Sequence, residues 1–193
     1  MSNLSRDRQP SLRLASVIGS ARVSESDPRW GEAFELGRRL ALADWSVVTG
    51  GYSGLMVAAA AGAKSVGGTT LGLPMTAWDH LSPNAHNDEL RWCDDYGTRL
   101  QHLLTTDAVI ALDGGVGTLS EMAVVWAAAQ TEPNAPRLFL VGEMWHSLHG
   151  ALTRELLMAP ADALLPQLVM SVEEVVELLS RDRPLTPPSG AVG

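Results

Sequence analysis

Three glycines, a threonine and a glutamate fall within the stretch Gly114-Gly115-Val116-Gly117-Thr118-Leu119-Ser120-Glu121. Just ahead of them, Asp107 to Leu112 is a short apolar run with β-branched residues, the pattern of a parallel strand covered on both faces. Glycine directly after a strand permits positive φ and lets a ligand approach the backbone closely. Thr118 then caps or opens a helix, with Glu121 inside its first turn. The free N–H groups and positive dipole end of such a helix make an anion site, most simply for phosphate. A carboxylate one turn into the helix looks at the same spot.

A phosphate cradle with a fixed carboxylate and an arginine beside it suits cleavage of an N-glycosidic bond. The transition state of that reaction builds positive charge on the ribose anomeric carbon. A carboxylate there stabilises the charge or orients the attacking water. Arg99 lies on the helix expected just before the strand, where it would hold phosphate or the departing base. Its plain alternative is a solvated surface arginine.

These groups need a scaffold that brings strand ends together, and the rest of the chain supplies one. Strands are expected over Leu12 to Ile18, Trp45 to Thr49, Thr69 to Leu73, Asp107 to Leu112, Arg137 to Val141 and Gln167 to Met170. Helices are expected from Ser26 or Asp27 to about Ala43, up to about Val66, over Leu90 to Thr105, on to about Gln130, over His146 to Met158 and over Ser171 to Leu179. Gly142 to Trp145 reads as a turn. Strands alternating with helices predict an α/β fold, a Rossmann-like doubly wound parallel sheet with helices on both faces. The turns at Gly19-Ser20, at Gly50-Gly51-Tyr52-Ser53-Gly54 and at Gly114 to Gly117 should line one edge of it. Residues 12–180 are expected as a single nucleotide-binding domain, between a flexible tail at 1–11 and a disordered one at 181–193.

Composition narrows the ligand. The chain of 193 residues has 14 Lys+Arg against 22 Asp+Glu, a net charge of -8, and no basic run. That balance excludes a nucleic-acid backbone binder and disfavours an anionic membrane surface, so no nucleic-acid or membrane partner is expected. Cys93 is the only cysteine, so there is no intramolecular disulfide or cysteine metal cluster. His80 and His86 are six residues apart, unlike a helical metal pair, and read as solvated loop residues. No metal and no resident cofactor are expected. The start lacks the apolar core of a signal peptide, which predicts a cytoplasmic protein. No Walker lysine follows the glycines and no Gly-x-Ser-x-Gly elbow is present. Within the irregular stretch Met75 to Glu89, Trp78 would stack on a base or pack in the core.

The stretch Asp113 to Glu121 resembles the Pro-Gly-Gly-x-Gly-Thr-x-x-Glu signature of the LOG family of nucleoside 5′-monophosphate phosphoribohydrolases. Gly50 to Met56 is similar to the Gly-Gly-x-x-Gly-Leu-Met turn of that family, and Gly19-Ser20 fits its first loop. The resemblance covers roughly Leu12 to Val141. It implies a homodimer that hydrolyses a nucleoside monophosphate to free base and ribose 5-phosphate. Glu121 and Arg99 would be catalytic, and Gly114, Gly115, Gly117 and Thr118, with Gly19, Ser20, Gly51 and Gly54, would bind substrate. Trp126 and its helix would form the interface, or Trp126 would pack inside the monomer. Two departures stand out: Asp113 replaces the signature proline, and Arg99-Leu100 replaces an Arg-Lys pair. They favour the second reading, a binding protein without turnover. Such a protein would carry or sense a nucleotide or phosphorylated cofactor, as molybdenum-cofactor-carrying relatives of this sheet do.

Overall fold

The computed structural model describes residues 13–181. The two expected tails, and Leu12 with them, lie outside the described residues, except that Arg181 closes the last helix. In chain order the elements are β1 (Arg13–Ile18), α1 (Pro28–Leu42), β2 (Trp45–Thr49), α2 (Leu55–Ser65), β3 (Thr70–Gly72), β4 (Glu89–Leu90) and α3 (Tyr96–Leu104). They continue as β5 (Ala108–Ala111), α4 (Val116–Thr131), β6 (Arg137–Val141), α5 (Glu143–Glu155), α6 (Pro160–Ala163), β7 (Gln167–Val169) and α7 (Val172–Arg181).

The strands form one all-parallel sheet in the order β4-β3-β2-β1-β5-β6-β7. The chain starts at the centre, builds outward to β4, and returns to lay β5 on the other side of β1. The switch point therefore falls between β1 and β5, where doubly wound sheets place their ligands. Alternation along the strands feeds two cores. Ala15, Val17, Ala108 and Ile110 point to the side covered by α1, α2 and α7. Ile18, Val109 and Ala111 point to the side covered by α3, α4 and α5. No helix among the described residues is long and apolar enough to cross a membrane.

The α/β reading and the parallel sheet agree with the structure, while several boundaries need correction. The helix expected over Leu90 to Thr105 begins only at Tyr96, because the Asp95 carboxylate accepts from the Thr98 N–H at 2.8 Å and caps it there. Glu89 and Leu90 instead extend the sheet, pairing with Leu71 and Gly72, so the sheet has seven strands rather than six. Thr118 does not cap α4. Gly115 does, without a side-chain bond, and the helix starts at Val116. The turn expected over Gly142 to Trp145 is already helix from Glu143, with Gly142 at φ 92 as its cap and an acid in the first turn.

Candidate functional site

The loop after β1 and the loop after β5 meet at the switch point. The Ser20 N–H donates to the Asp113 carbonyl at 2.9 Å, tying the two strand ends together. Beyond that tie the turn opens. Gly115, Val116 and Gly117 are exposed, and a methyl group added at Gly115 or Gly117 would meet nothing within 4 Å. The first N–H groups of a helix have no intrahelical partner, and α4 has no side-chain cap. Its start is thus a set of bare donors at a positive dipole end. Gly114 and Thr118 shape the base of this cradle: Thr118 is buried against Gly114, so tightly that a Cβ there would lie 2.2 Å from the threonine hydroxyl.

One turn below the cradle stands Glu121. It is 8 % exposed, and Arg99, from α3, is 6 % exposed. Arg99 Nε and Nη2 both donate to Glu121 Oε1, at 3.3 and 3.2 Å. Arg99 Nη1 donates to the carbonyls of Gly50 and Leu73, which lie just past β2 and β3. The guanidinium therefore ties α4 to two strand ends, and most of its donors are engaged by protein. Glu121 Oε2 takes no hydrogen bond among the described residues. Burial pushes the Glu121 carboxyl pKa up, opposed by the Arg99 charge. Trp78 packs over the guanidinium at 5.6 Å and against Tyr52 at 5.7 Å, so it roofs Arg99.

The other glycine residues expected at the site are packed against protein. Gly19 lies under Leu55, whose Cδ1 would be 3.1 Å from an added Cβ. The Gly51 carbonyl accepts from the Asn84 N–H at 2.8 Å and from the side chains of Asn84 and Asn87. Gly54, at φ 67, presses on the β1 loop, where a Cβ would sit 2.1 Å from the Ser20 carbonyl oxygen. The Ser20 hydroxyl accepts from the Arg22 N–H at 3.1 Å. These residues shape the floor beside the cradle with their backbones packed against protein.

Three features were not read from the sequence. The Tyr96 hydroxyl and Ser120 hydroxyl are 2.7 Å apart, and Ser120 also donates to the Gly117 carbonyl, so α3 is stapled to the cradle turn itself. Asp113 is held by Arg29 at 3.6 Å, which turns its charge toward α1. A cleft of about 810 Å³ opens beyond Asp113, between the starts of α1, α5 and α7. Arg99 and Glu121 do not line it, and its walls carry Glu32, Glu35, Glu143 and Glu173, which disfavour a phosphate there. Trp126 is buried, its Nε1 donating to the Asp162 carbonyl at 2.8 Å and its ring stacked on His149, so of its two expected places it takes the interior.

A single parallel sheet with helices on both faces and a glycine turn at its switch point defines a Rossmann-like α/β protein. More specifically, residues 13–131 match the model of the SLOG cluster4 family, and the chain belongs to that family. It is 32% identical over 115 residues to an uncharacterized protein of Archaeoglobus fulgidus, covering 58% of this chain and 73% of that one. Solved structures share its fold at lower identity. The molybdenum cofactor binding protein of the phototrophic bacterium Rippkaea orientalis aligns with a TM-score of 0.70 at 24% identity, over 88% of this chain and 96% of its own. The molybdenum cofactor carrier protein of Chlamydomonas reinhardtii aligns at 0.68 and 21%, over 88% and 97%. DNA processing protein A of Helicobacter pylori aligns at 0.58 and 17%, over 88% and 81%.

Proposed function

We propose that this protein is a LOG-like phosphoribohydrolase that cleaves a purine nucleoside 5′-monophosphate to free base and ribose 5-phosphate. The observation that carries the reading is Glu121: a buried carboxylate one turn inside the helix that opens at the cradle, with Oε1 held by Arg99 and Oε2 unbonded. With phosphate on the N–H groups of Val116 to Thr118, the ribose lies toward that carboxylate. The bond from the anomeric carbon to the base nitrogen breaks, and its electron pair leaves with the base. Water attacks the anomeric carbon, its proton passes to Glu121 Oε2, and the base takes up a proton. Arg99 acts as a positioning residue, holding the carboxylate where the charge develops.

The test is a base-release assay on the purified chain with AMP, GMP, CMP and isopentenyladenosine monophosphate, read by chromatography. Glu121→Gln should cut release by about 10³-fold, within the range for a removed acid–base group, while nucleotide binding survives. Release by Glu121→Gln at the normal rate would sink the assignment.

A second reading, a carrier or sensor that binds a phosphorylated ligand without turnover, draws on a specific observation. Most Arg99 donors are engaged by Glu121 and two backbone carbonyls, so little is left for a leaving group. The structural neighbours described as molybdenum cofactor proteins point the same way. Nucleotide binding without base release would select it.

Both readings include a homodimer. Helix α4 carries no charge except Glu121, which faces inward, while Val116, Ala123 and Ala127 are exposed on its outer side. A helix apolar all round has both sides covered. Light scattering should give twice the 20.6 kDa chain mass, and the monomer mass would remove this part.

A further inference from the structure

We propose that the Tyr96 hydroxyl accepts a hydrogen bond from the 2′-hydroxyl of the substrate's ribose, so that the site selects a ribonucleotide over a 2′-deoxyribonucleotide. The inference rests on the hydrolase reading of Glu121 and deepens it by naming the sugar.

The seam between α3 and the first turns of α4 is tied twice. Arg99 meets Glu121, and Tyr96, one turn earlier on α3, meets Ser120, the residue just before Glu121. The hydrogens of the second tie can be assigned. Ser120 Oγ donates to the Gly117 carbonyl at 2.7 Å. A serine hydroxyl has one hydrogen, so in the 2.7 Å contact between the two hydroxyls Tyr96 donates and Ser120 accepts. The phenol has thereby used its only hydrogen. Its lone pairs remain open, since no donor among the described residues reaches Tyr96 Oη.

Arg99 has likewise spent four of its five N–H groups, two on Glu121 Oε1 and two on the Gly50 and Leu73 carbonyls. What the seam leaves open is a pair of acceptors, Tyr96 Oη and Glu121 Oε2. Glu121 is 8 % exposed, and an acceptor left unbonded at that depth costs free energy until a donor arrives. Neither group is free to swing away. Arg99 holds the carboxylate. The Tyr96 ring packs against the cluster that includes Leu73, Met75 and Cys93, the Asp95 cap fixes the start of its helix, and Ser120 holds its tip.

Two neighbouring acceptors call for a ligand that brings two donors. In the hydrolase reading, the donor at Glu121 Oε2 is the water that attacks the anomeric carbon. The hydroxyl on the very next carbon of the ring is the 2′-hydroxyl, which makes it the sugar donor closest to that reacting centre. A hydrogen bond from it to Tyr96 Oη leaves more electron density on the 2′ oxygen while positive charge builds on the adjacent carbon. Such contacts to the 2-hydroxyl strengthen in the transition state of glycosidic cleavage. No proton is transferred in this contact, and Tyr96 remains a phenol.

Base release and calorimetric titration of the full chain with AMP, 2′-deoxy-AMP and 3′-deoxy-AMP test this. The wild type should favour AMP over 2′-deoxy-AMP by about 10–100-fold in kcat/KM, the worth of one hydrogen bond to an acceptor otherwise left unpaired, and should treat 3′-deoxy-AMP like AMP. Tyr96→Phe should lower AMP turnover by the same factor and leave 2′-deoxy-AMP turnover where it was, so that the preference disappears. Ser120→Ala breaks the same tie with the phenol still in place, and should keep the preference. Equal loss of AMP and 2′-deoxy-AMP turnover in Tyr96→Phe would make Tyr96 a strut only and overturn the proposal. So would loss of the preference in Ser120→Ala, or a wild type that discriminates against 3′-deoxy-AMP instead. The hydrolase reading is judged separately. Base release without a 2′ preference keeps the hydrolase and removes the role of Tyr96; a Tyr96-dependent preference for AMP in binding, with no base released, does the reverse. A chain that neither binds nor cleaves any of the three removes both.

Discussion

The turns after β2 and after β5 are written in nearly the same letters and end in opposite states. Gly50-Gly51-Tyr52-Ser53-Gly54 is closed: its glycines let an arginine, a loop and a neighbouring strand end press against the backbone. Gly114-Gly115-Val116-Gly117 is closed only at Gly114, and Gly115 and Gly117 face open space. Glycine at a strand end marks a close approach in both turns, but what approaches differs. In the first it is the protein itself. In the second the approach is left open, and the first turn holds Arg99, the partner of Glu121, in place.

Substitutions that add one methyl group sharpen this contrast. Gly54→Ala should do the most damage. Its φ is positive and backbone atoms of Ser20 and Ala21 lie within 2.6 Å of the new carbon. A loss above about 3 kcal/mol is expected, read by urea or thermal melts; a loss under about 1 kcal/mol would mean the turn is not packed as described. Gly50→Ala should come next. Its new carbon would meet Arg99 Nη2 at 2.3 Å and Met56 Sδ at 2.6 Å, both side-chain atoms that can move. About 1–2 kcal/mol is expected, with a shifted Arg99 and slower base release. Gly115→Ala should be the mildest for the fold, within about 0.5 kcal/mol, since its φ of -104 suits any residue and the added carbon meets nothing. Its effect should fall on phosphate affinity, measured by calorimetry. A Gly115→Ala variant as unstable as Gly54→Ala would erase the difference between the turns.

The open turn also predicts a pH dependence. In the proposed hydrolysis Glu121 must be ionised to take the proton of water, and burial raises its pKa above the ordinary 4.5. Base release should therefore fall on acidification with a midpoint above 4.5. The same shift makes the ionised carboxyl the less favoured form in the fold, so protonating Glu121 favours the folded state. A pH–rate profile with its acid limb at or below 4.5 would remove the buried-base role.

The central strands were legible because parallel strands covered on both faces are short apolar runs, and β2 and β6 are such runs bounded by polar or glycine residues. The two residues of β4 were not, since Glu89-Leu90 has no strand pattern and its place depends on an open edge at β3. The helix start at Gly115 was hidden because the cap is a backbone without a side chain, and Thr118 offered a more familiar one. The glycine turn between β5 and α4, and the place of Glu121 on that helix, could be read from spacing alone. The burial of Arg99 could not, because two of its partners, the Gly50 and Leu73 carbonyls, lie 49 and 26 residues away in sequence.

The latch between α2 and the loop ahead of β4 gives the molecule a chemical handle. Lys64 is the only lysine in the sequence, and its ammonium lies 2.6 Å from Asp88, whose carboxylate also accepts from the Thr70 N–H. An amine-directed reagent consequently meets a single side-chain target, and that ammonium is held in an ion pair whenever the loop is docked on the sheet edge. The rate at which Lys64 takes up an acyl group, followed by the mass of the peptide that carries it, would report the opening of this loop without a label, a tag or a substitution.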